Sequence, residues 1–395
     1  MHRTVGTSAY GLRAPIIKKG DPLEDIVVTT LVEAVERNSL TLKEMDVLAI
    51  TESLLARAQG NYCSTDNITQ DLNSKFNDSI GVLFPITSRN RFSVILKAIA
   101  NTKKRIVLFL NYPSDEVGNR LMDTEVITKS GINIYNDTID EKRYRELVGG
   151  EYKHPFTGID YVSLYKSYAV NDNIEIYLSN NATDILNYTK DILVANIHDR
   201  TTIKEHLKAN GANIVYGLDD LMNNPIDGSG FNPRYGLYGS NLATPTSLKL
   251  FPRNSDVFVK NIQEKVYNQT GVKIEVMVYG DGAFKDPIGK IWELADPVVS
   301  PGYTPNLEGT PNELKLKYIA DNELLGLDKE SAINVMKEKI NSKTKDEIDK
   351  NVSLGTTPRR LTDLLGSLAD LVSGSGDKGT PIVLIQGYFD NFASE

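Results

Sequence analysis

The chain is poor in the features that mark several common protein classes. It has a single cysteine, Cys63. That excludes an internal disulfide framework and a cysteine-rich zinc site. No apolar run reaches membrane-spanning length; the longest, 106–112 (IVLFLNY) and 382–389 (IVLIQGYF), are strand-sized. The opening MHRTVGTSAYGLRAP lacks the apolar core of a signal peptide. Positive charge is in deficit, with 44 Lys+Arg against 52 Asp+Glu, a net charge of −8 and a pI near 5.3. Such a surface disfavours nucleic acid and anionic lipid as partners, and a cytoplasmic protein is expected. There is no Gly-x-Ser-x-Gly elbow for a serine hydrolase. His154 and His198 show no metal-ligand spacing, Cys63 has no neighbours that argue for a nucleophile, and no short-period repeat is found.

What is present is an ordinary globular composition, 40% hydrophobic and 24% charged over 395 residues, enough for two or three domains. Helical spacing of Leu23, Ile26, Val27 and Leu31 predicts a helix over 21–38 with Asp21 as N-cap. Apolar strands are expected at 45–50, 81–87, 105–113, 174–179, 212–217, 272–280 and in the final segment from 381. Helices are expected at 91–101, 182–194, 199–211, 254–269, 328–350 and 361–374. Alternating strands and helices imply an α/β fold with α+β elements: a mixed-sheet core carrying an inserted α/β lobe. The division expected is 1–113 and 223–395 for the core, with 114–222 as the lobe and the loop at 223–236 (NNPIDGSGFNPRYG) as its exit.

The segment richest in chemical possibilities is GDGAFKDP, 280–287, at the end of a predicted strand. Ligands collect at the carboxyl ends of strands in α/β proteins. Asp281 could hold Mg²⁺ or Mn²⁺, Lys285 could neutralise phosphate, and Asp286 could be a second acidic group. A plain Asp-Gly turn explains the same residues equally well. SGSGDKGTP, 373–381, could cradle phosphate through Ser373, Gly374, Ser375, Gly376, Asp377, Lys378 and Gly379, although it lacks Walker A spacing. A flexible helix-to-strand loop is the simpler reading. Glu52 and Arg57 sit where a strand turns into a helix, and Arg57 could grip a phosphate or join a surface salt bridge. Asn241 could contact a nucleotide or serve an ordinary turn. Arg359 and Arg360 could face an anionic substrate or simply be solvated.

Four blocks occur in an order that resembles the gamma-glutamyl ligase of the deazaflavin coenzyme F-420, the CofE-type family: GLRAPIIKKGDPLEDIV (11–27), DVLAITESLLARAQGN (46–61), GLYGSNLATPTSLKLFP with VMVYGDGAF (236–252 and 276–284), and LADLVSGSGDKGTPIVLIQG (368–387). The resemblance covers the N- and C-terminal thirds. It implies a homodimeric ligase that joins L-glutamate to a small carboxylate acceptor using GTP (or ATP) and Mg²⁺ or Mn²⁺. It places Asp281, Gly282 and Ser375 at metal positions. Leu12, Arg13, Ala14, Pro15, Glu52, Ser53, Arg57, Asn241 and 373–379 fall at nucleotide positions. Asp281, Lys285 and Asp286, from the strand-end segment itself, are the residues expected to be catalytic. The chain departs from the family at Tyr238, where an acidic residue is usual, at Gly282 for Thr, at Ser53 and Arg57 for lysines, at Ser375 for an acidic ligand, and in its longer middle segment. Two rival readings remain: a nucleotide- or metabolite-binding protein without ligase activity, and a metal-dependent hydrolase built on Asp281.

Overall fold

The computed structural model describes residues 4–155, 157–280, 300–311, 313–343, 360–374 and 376–394. Its strands, in chain order, are β1 (Ser8–Leu12), β2 (Val47–Thr51), β3 (Tyr62–Ser64), β4 (Ser79–Leu83), β5 (Arg105–Leu110), β6 (Ile139–Asp140), β7 (Ile174–Leu178), β8 (Asp191–Val194), β9 (Ile214–Gly217), β10 (Asn241–Thr244), β11 (Ser247–Lys249), β12 (Glu275–Tyr279), β13 (Gly302–Tyr303) and β14 (Ile382–Gln386). Four helices matter below: α1 (Leu23–Arg37), α2 (Glu52–Ala58), α3 (Thr65–Lys75) and α4 (Phe92–Asn101). The chain is α/β, with three sheets among the described residues. No helix among them is long and apolar enough to cross a membrane.

The core sheet has the order β1-β14-β2-β12-β13. β2 and β12 run parallel, and β14 lies antiparallel to β2. Its central strands read as unbroken apolar runs because both faces are covered. Leu48 and Ile50 of β2, Val276 and Val278 of β12, and Ile382 and Leu384 of β14 face α1 and the helix Ser255–Thr270. The alternate residues Val47, Ala49, Met277, Tyr279, Val383 and Ile385 face the helix Leu361–Ser373 through Leu365 and Ala369. The alternation follows from the two-residue repeat of a strand.

The lobe is a six-stranded sheet, β6-β7-β5-β4-β8-β9, parallel except for the short edge strand β6. β4 and β5 precede residue 114, so the sheet of the lobe begins earlier in the chain than the boundary expected at 113/114. The lobe hangs on a small antiparallel sheet, β10-β11-β3. There Ser64 pairs with Ser247, and Thr65 N donates to Thr246 O at 2.9 Å. The chain therefore leaves the core and returns to it at adjacent points.

Two local expectations need correction. Residues 182–194 are not one helix: a 3-10 turn over Ala182–Asn187 gives way to β8, whose edges pair with β4 and β9. Asp21 does not cap α1. Pro22 holds the N-cap position without a side-chain bond, and the Asp21 carboxylate instead accepts from Lys18 N at 2.7 Å, closing the turn before the helix.

Candidate functional site at the carboxyl edge of the core sheet

Parallel pairing of β2 with β12 brings their carboxyl ends to one edge, with Thr51 opposite Tyr279. β14 runs the other way, so its incoming loop lies on that edge too, and Thr51 N donates to Pro381 O at 3.0 Å. β1 ends there as well: Leu12 is opposite Ile382, and Ala14 N donates to Gly379 O at 3.2 Å. The sheet thus gathers four of the sequence-predicted segments at one place: Leu12–Pro15, the start of α2, the residue Gly280 that follows β12, and the loop 376–379.

α2 begins at Glu52, directly after β2. An acidic residue in the first turn suits the positive end of the helix dipole. Glu52 is buried, and its Oε1 accepts from Lys249 Nζ at 2.7 Å; the same ammonium donates to Ser53 Oγ at 2.7 Å. Lys249 ends β11, in register with Tyr62 of β3. The polar hairpin therefore sets a lysine over the turn between β2 and α2. Both side chains are largely screened from water, at 12% exposure for Lys249 and 7% for Glu52. Breaking such a pair from one side leaves an uncompensated buried charge.

Beside this pair lies a cavity of about 660 Å³ lined by Lys18, Lys19, Ser53, Arg57, Tyr62, Asn241 and Lys249, with the hairpin residues Leu242–Thr244 and Ser247. Among the described residues its lining holds four cations and no carboxylate. Lys249 is offset by Glu52, while Lys18, Lys19 and Arg57 are exposed and make no ion pair among the described residues. On a chain of net charge −8 this is a local concentration of positive charge suited to a polyanion. Gly60 fixes part of the shape. It has φ +59°, and a Cβ there would meet the Lys19 stem at 2.4 Å, so a larger residue would displace Lys19. The hairpin is also anchored at its base. Asn61, fully buried, donates to Phe251 O at 2.6 Å and accepts from Phe231 N at 2.9 Å.

Of the sequence-predicted residues, Ser53, Arg57 and Asn241 meet in this cavity, and Glu52 supports it from beneath. Leu12, Arg13 and Pro15 line a different hollow, of about 520 Å³, against α1. Ser373 and Gly374 end the helix Leu361–Ser373, and Gly376, Asp377, Lys378 and Gly379 follow in the loop before β14, where 377–379 are exposed. Gly374 has φ +63°, and a Cβ there would lie 2.6 Å from Lys378 Nζ. Arg360 is not brought to this edge. It precedes the first residue of the helix whose far end meets the loop, roughly 20 Å away for thirteen residues at helical rise. Asp281, Gly282, Lys285, Asp286, Arg359 and Ser375 lie outside the described residues. Lys18, Lys19, Tyr62 and Lys249 were not singled out from the sequence, although Lys18–Lys19 and Lys249 stand inside the quoted blocks.

Tyr238 has a structural role of its own. It is buried, its hydroxyl donates to Asn196 O at 2.7 Å, and the Arg200 guanidinium lies 4.7 Å from its ring centre. The residue that departs from the acidic pattern ties the 236–240 turn to the loop after β8 of the lobe. Cys63 is also structural: burial, with Asp71 nearby, pushes its thiol up to about 12, so it is no nucleophile at neutral pH. Among the described residues no three His, Cys, Asp or Glu side chains converge as they would around a metal ion.

A family model described as F420-0:Gamma-glutamyl ligase matches residues 11–387, nearly the whole chain and including the lobe. No curated protein matches the chain.

Proposed function

The chain belongs to the F420-0:gamma-glutamyl ligase family, and from that premise we propose that it is a nucleotide-dependent ligase that adds L-glutamate to a small carboxylate acceptor, with the polyphosphate of GTP (or ATP) held in the cationic cavity. The observation that carries this reading is the convergence of Lys18, Lys19, Arg57 and Lys249 with Ser53 and Asn241 in one hollow at the carboxyl edge of the core sheet.

Amide formation from a free carboxylate is uphill in water, which is why a phosphoryl donor is needed. In the proposed sequence an acceptor carboxylate oxygen attacks the γ-phosphorus. The bond to the bridging oxygen breaks, and the nucleoside diphosphate leaves with an acyl phosphate formed. The amine of glutamate then attacks the acyl carbon, the C–O bond to phosphate breaks, inorganic phosphate departs, and the amine proton passes to solvent. Chemistry of this kind is served mainly by positioning and by charges placed against the phosphates. Arg57 supplies a planar fork of donors; Lys18 and Lys19 supply mobile point charges. Lys249, locked by Glu52, supplies a fixed one.

The described residues by themselves do not fit a divalent ion. Dependence on Mg²⁺ or Mn²⁺ is proposed from the sequence position of Asp281, the residue after Gly280, and such an ion would add charge screening at the phosphates. Asp281→Ala is then expected to abolish nucleotide turnover with the fold intact; an active variant that still responds to metal would remove that part of the reading.

Arg57→Ala tests the cavity itself. It is expected to weaken nucleotide binding about tenfold, the loss of one charge-assisted contact, without lowering the melting temperature, because Arg57 is exposed. Calorimetric titration with GTP and ATP measures it, and unchanged affinity for both would sink the assignment. Phosphate release that requires both glutamate and an acceptor separates a ligase from a protein that only binds nucleotide.

A further inference from the structure

The lobe has a cavity that the ligase reading does not use. β4 leads through α4 to β5 on one side of the sheet, whereas β8 leads through the helix Arg200–Ala209 to β9 on the other. The loops leaving β4 and β8 therefore diverge, and a crevice opens between them. In α/β sheets such a topological switch point is where ligands bind. Here it holds about 490 Å³, a size suited to a small molecule.

The crevice is divided in character. Its floor is apolar, with Phe92, Ile95, Ile197, Leu218 and Leu237. At its rim the loop after β4 presents Ser88, Arg89, Asn90 and Arg91. Two arginines and no carboxylate line it among the described residues. Arg89 is exposed and makes no ion pair among them.

The walls are already fixed. Buried Asp115 accepts from Thr87 N, Thr87 Oγ1 and Asn119 Nδ2, each at 2.9 Å. Ser88 N donates to the Tyr165 hydroxyl at 2.9 Å, and Ser88 Oγ accepts from Phe92 N at 2.9 Å. Across the crevice, Tyr238 is held by its bond to Asn196 O. A ligand would thus meet a formed site and lose little affinity to ordering it.

We propose that this crevice is a second small-molecule site, for an organic anion whose apolar or ring-bearing body rests on the floor and whose phosphate or carboxylate meets Arg89 and Arg91. The inference stands whatever the cationic cavity of the core binds.

The test is calorimetric titration of the full chain with 1-naphthyl phosphate, 1-naphthoate and the uncharged 1-naphthol. At least one of the two anions is expected to bind, and the tighter of them identifies the head group; 1-naphthol is expected to bind at least tenfold more weakly, on the order of one lost charge-assisted contact. Replacing both Arg89 and Arg91 by Ala should weaken the anion about tenfold or more, and Ile197→Trp should block it by filling the floor. If Ile197→Trp does not fold, the arginine variant decides alone. The proposal is overturned if neither anion binds at millimolar concentration, if 1-naphthol binds as tightly as they do, or if binding survives the arginine changes. It is equally overturned if binding is lost in Arg57→Ala instead, which would place the anion in the core cavity.

Discussion

Each of the two larger sheets has a buried carboxylate at its carboxyl end, and each carboxylate is satisfied by a different kind of partner. In the core, Glu52 meets a cation, Lys249, held in place by a hairpin from far along the chain. In the lobe, Asp115 meets, among the described residues, only neutral donors: Thr87 N and Oγ1, Val117 N, Asn119 N and Asn119 Nδ2. The first arrangement sets charge against charge, so removing the lysine takes away the cation that the buried carboxylate faces. The second spreads the demand over two loops and holds both in shape. Burial raises the Asp115 carboxyl above its usual range, against the pull of these donors in the other direction. The two ends should therefore respond differently to mutation and to pH.

The largest effect is expected from splitting the core pair. Lys249→Met should destabilise the protein by about 3–5 kcal/mol, since Glu52 is then buried without its cation. Adding Glu52→Gln should recover most of that loss. Urea denaturation of both variants measures it; a single change costing less than about 1 kcal/mol would mean that the pair behaves as a surface contact and that the contrast with Asp115 is unreal.

Next comes Asp115→Asn, which presents an amide to donors that need an acceptor and should cost about 2–3 kcal/mol. Its pH dependence sharpens the comparison. A group with a raised folded pKa contributes stability that is fully present below its unfolded value, near 3.8, and is lost as pH rises through the folded value. The wild type should therefore lose its advantage over Asp115→Asn as pH rises from that acid limit. Denaturation of both proteins across that range reads the slope, and an advantage that grows with pH would reverse the assignment. The smallest effect is expected from Tyr238→Phe, which removes one buried hydrogen bond between core turn and lobe, about 1 kcal/mol, visible as a modest drop in melting temperature.

Much of the architecture was legible because strand and helix repeats differ. The apolar runs of β2, β12 and β14 could only be covered on both faces, and the amphipathic helix Leu361–Ser373 declared its buried side. The stretch 182–194 misled because Ile185, Leu186, Ile192 and Leu193 fit a helical spacing, while strand pairing with β4 and β9, remote in sequence, decides the outcome. The site was legible in pieces. Ser53, Arg57 and Asn241, singled out from the sequence, line the cationic cavity, whereas Lys18, Lys19 and Lys249 beside them were not singled out. Lys249 follows a polar hairpin with no apolar signature, and Lys18–Lys19 reads as a solvated pair until Gly60 lets the Lys19 stem lie across it. Arg360 shows how little the sequence says of placement: it stands at the end of its helix away from the glycine loop.

The meeting of Thr65 with Thr246 bears on how the chain reaches this structure. Pairing β3 with β11 from an unfolded chain would require closing a loop that contains the whole lobe, and the entropy lost grows with the logarithm of loop length. If the lobe forms first, its own fold brings Thr65 and Thr246 together, and the core sees a short connection in place of a long one. The loop-closure cost of joining β3 to β11 is thus smallest when the lobe is already folded.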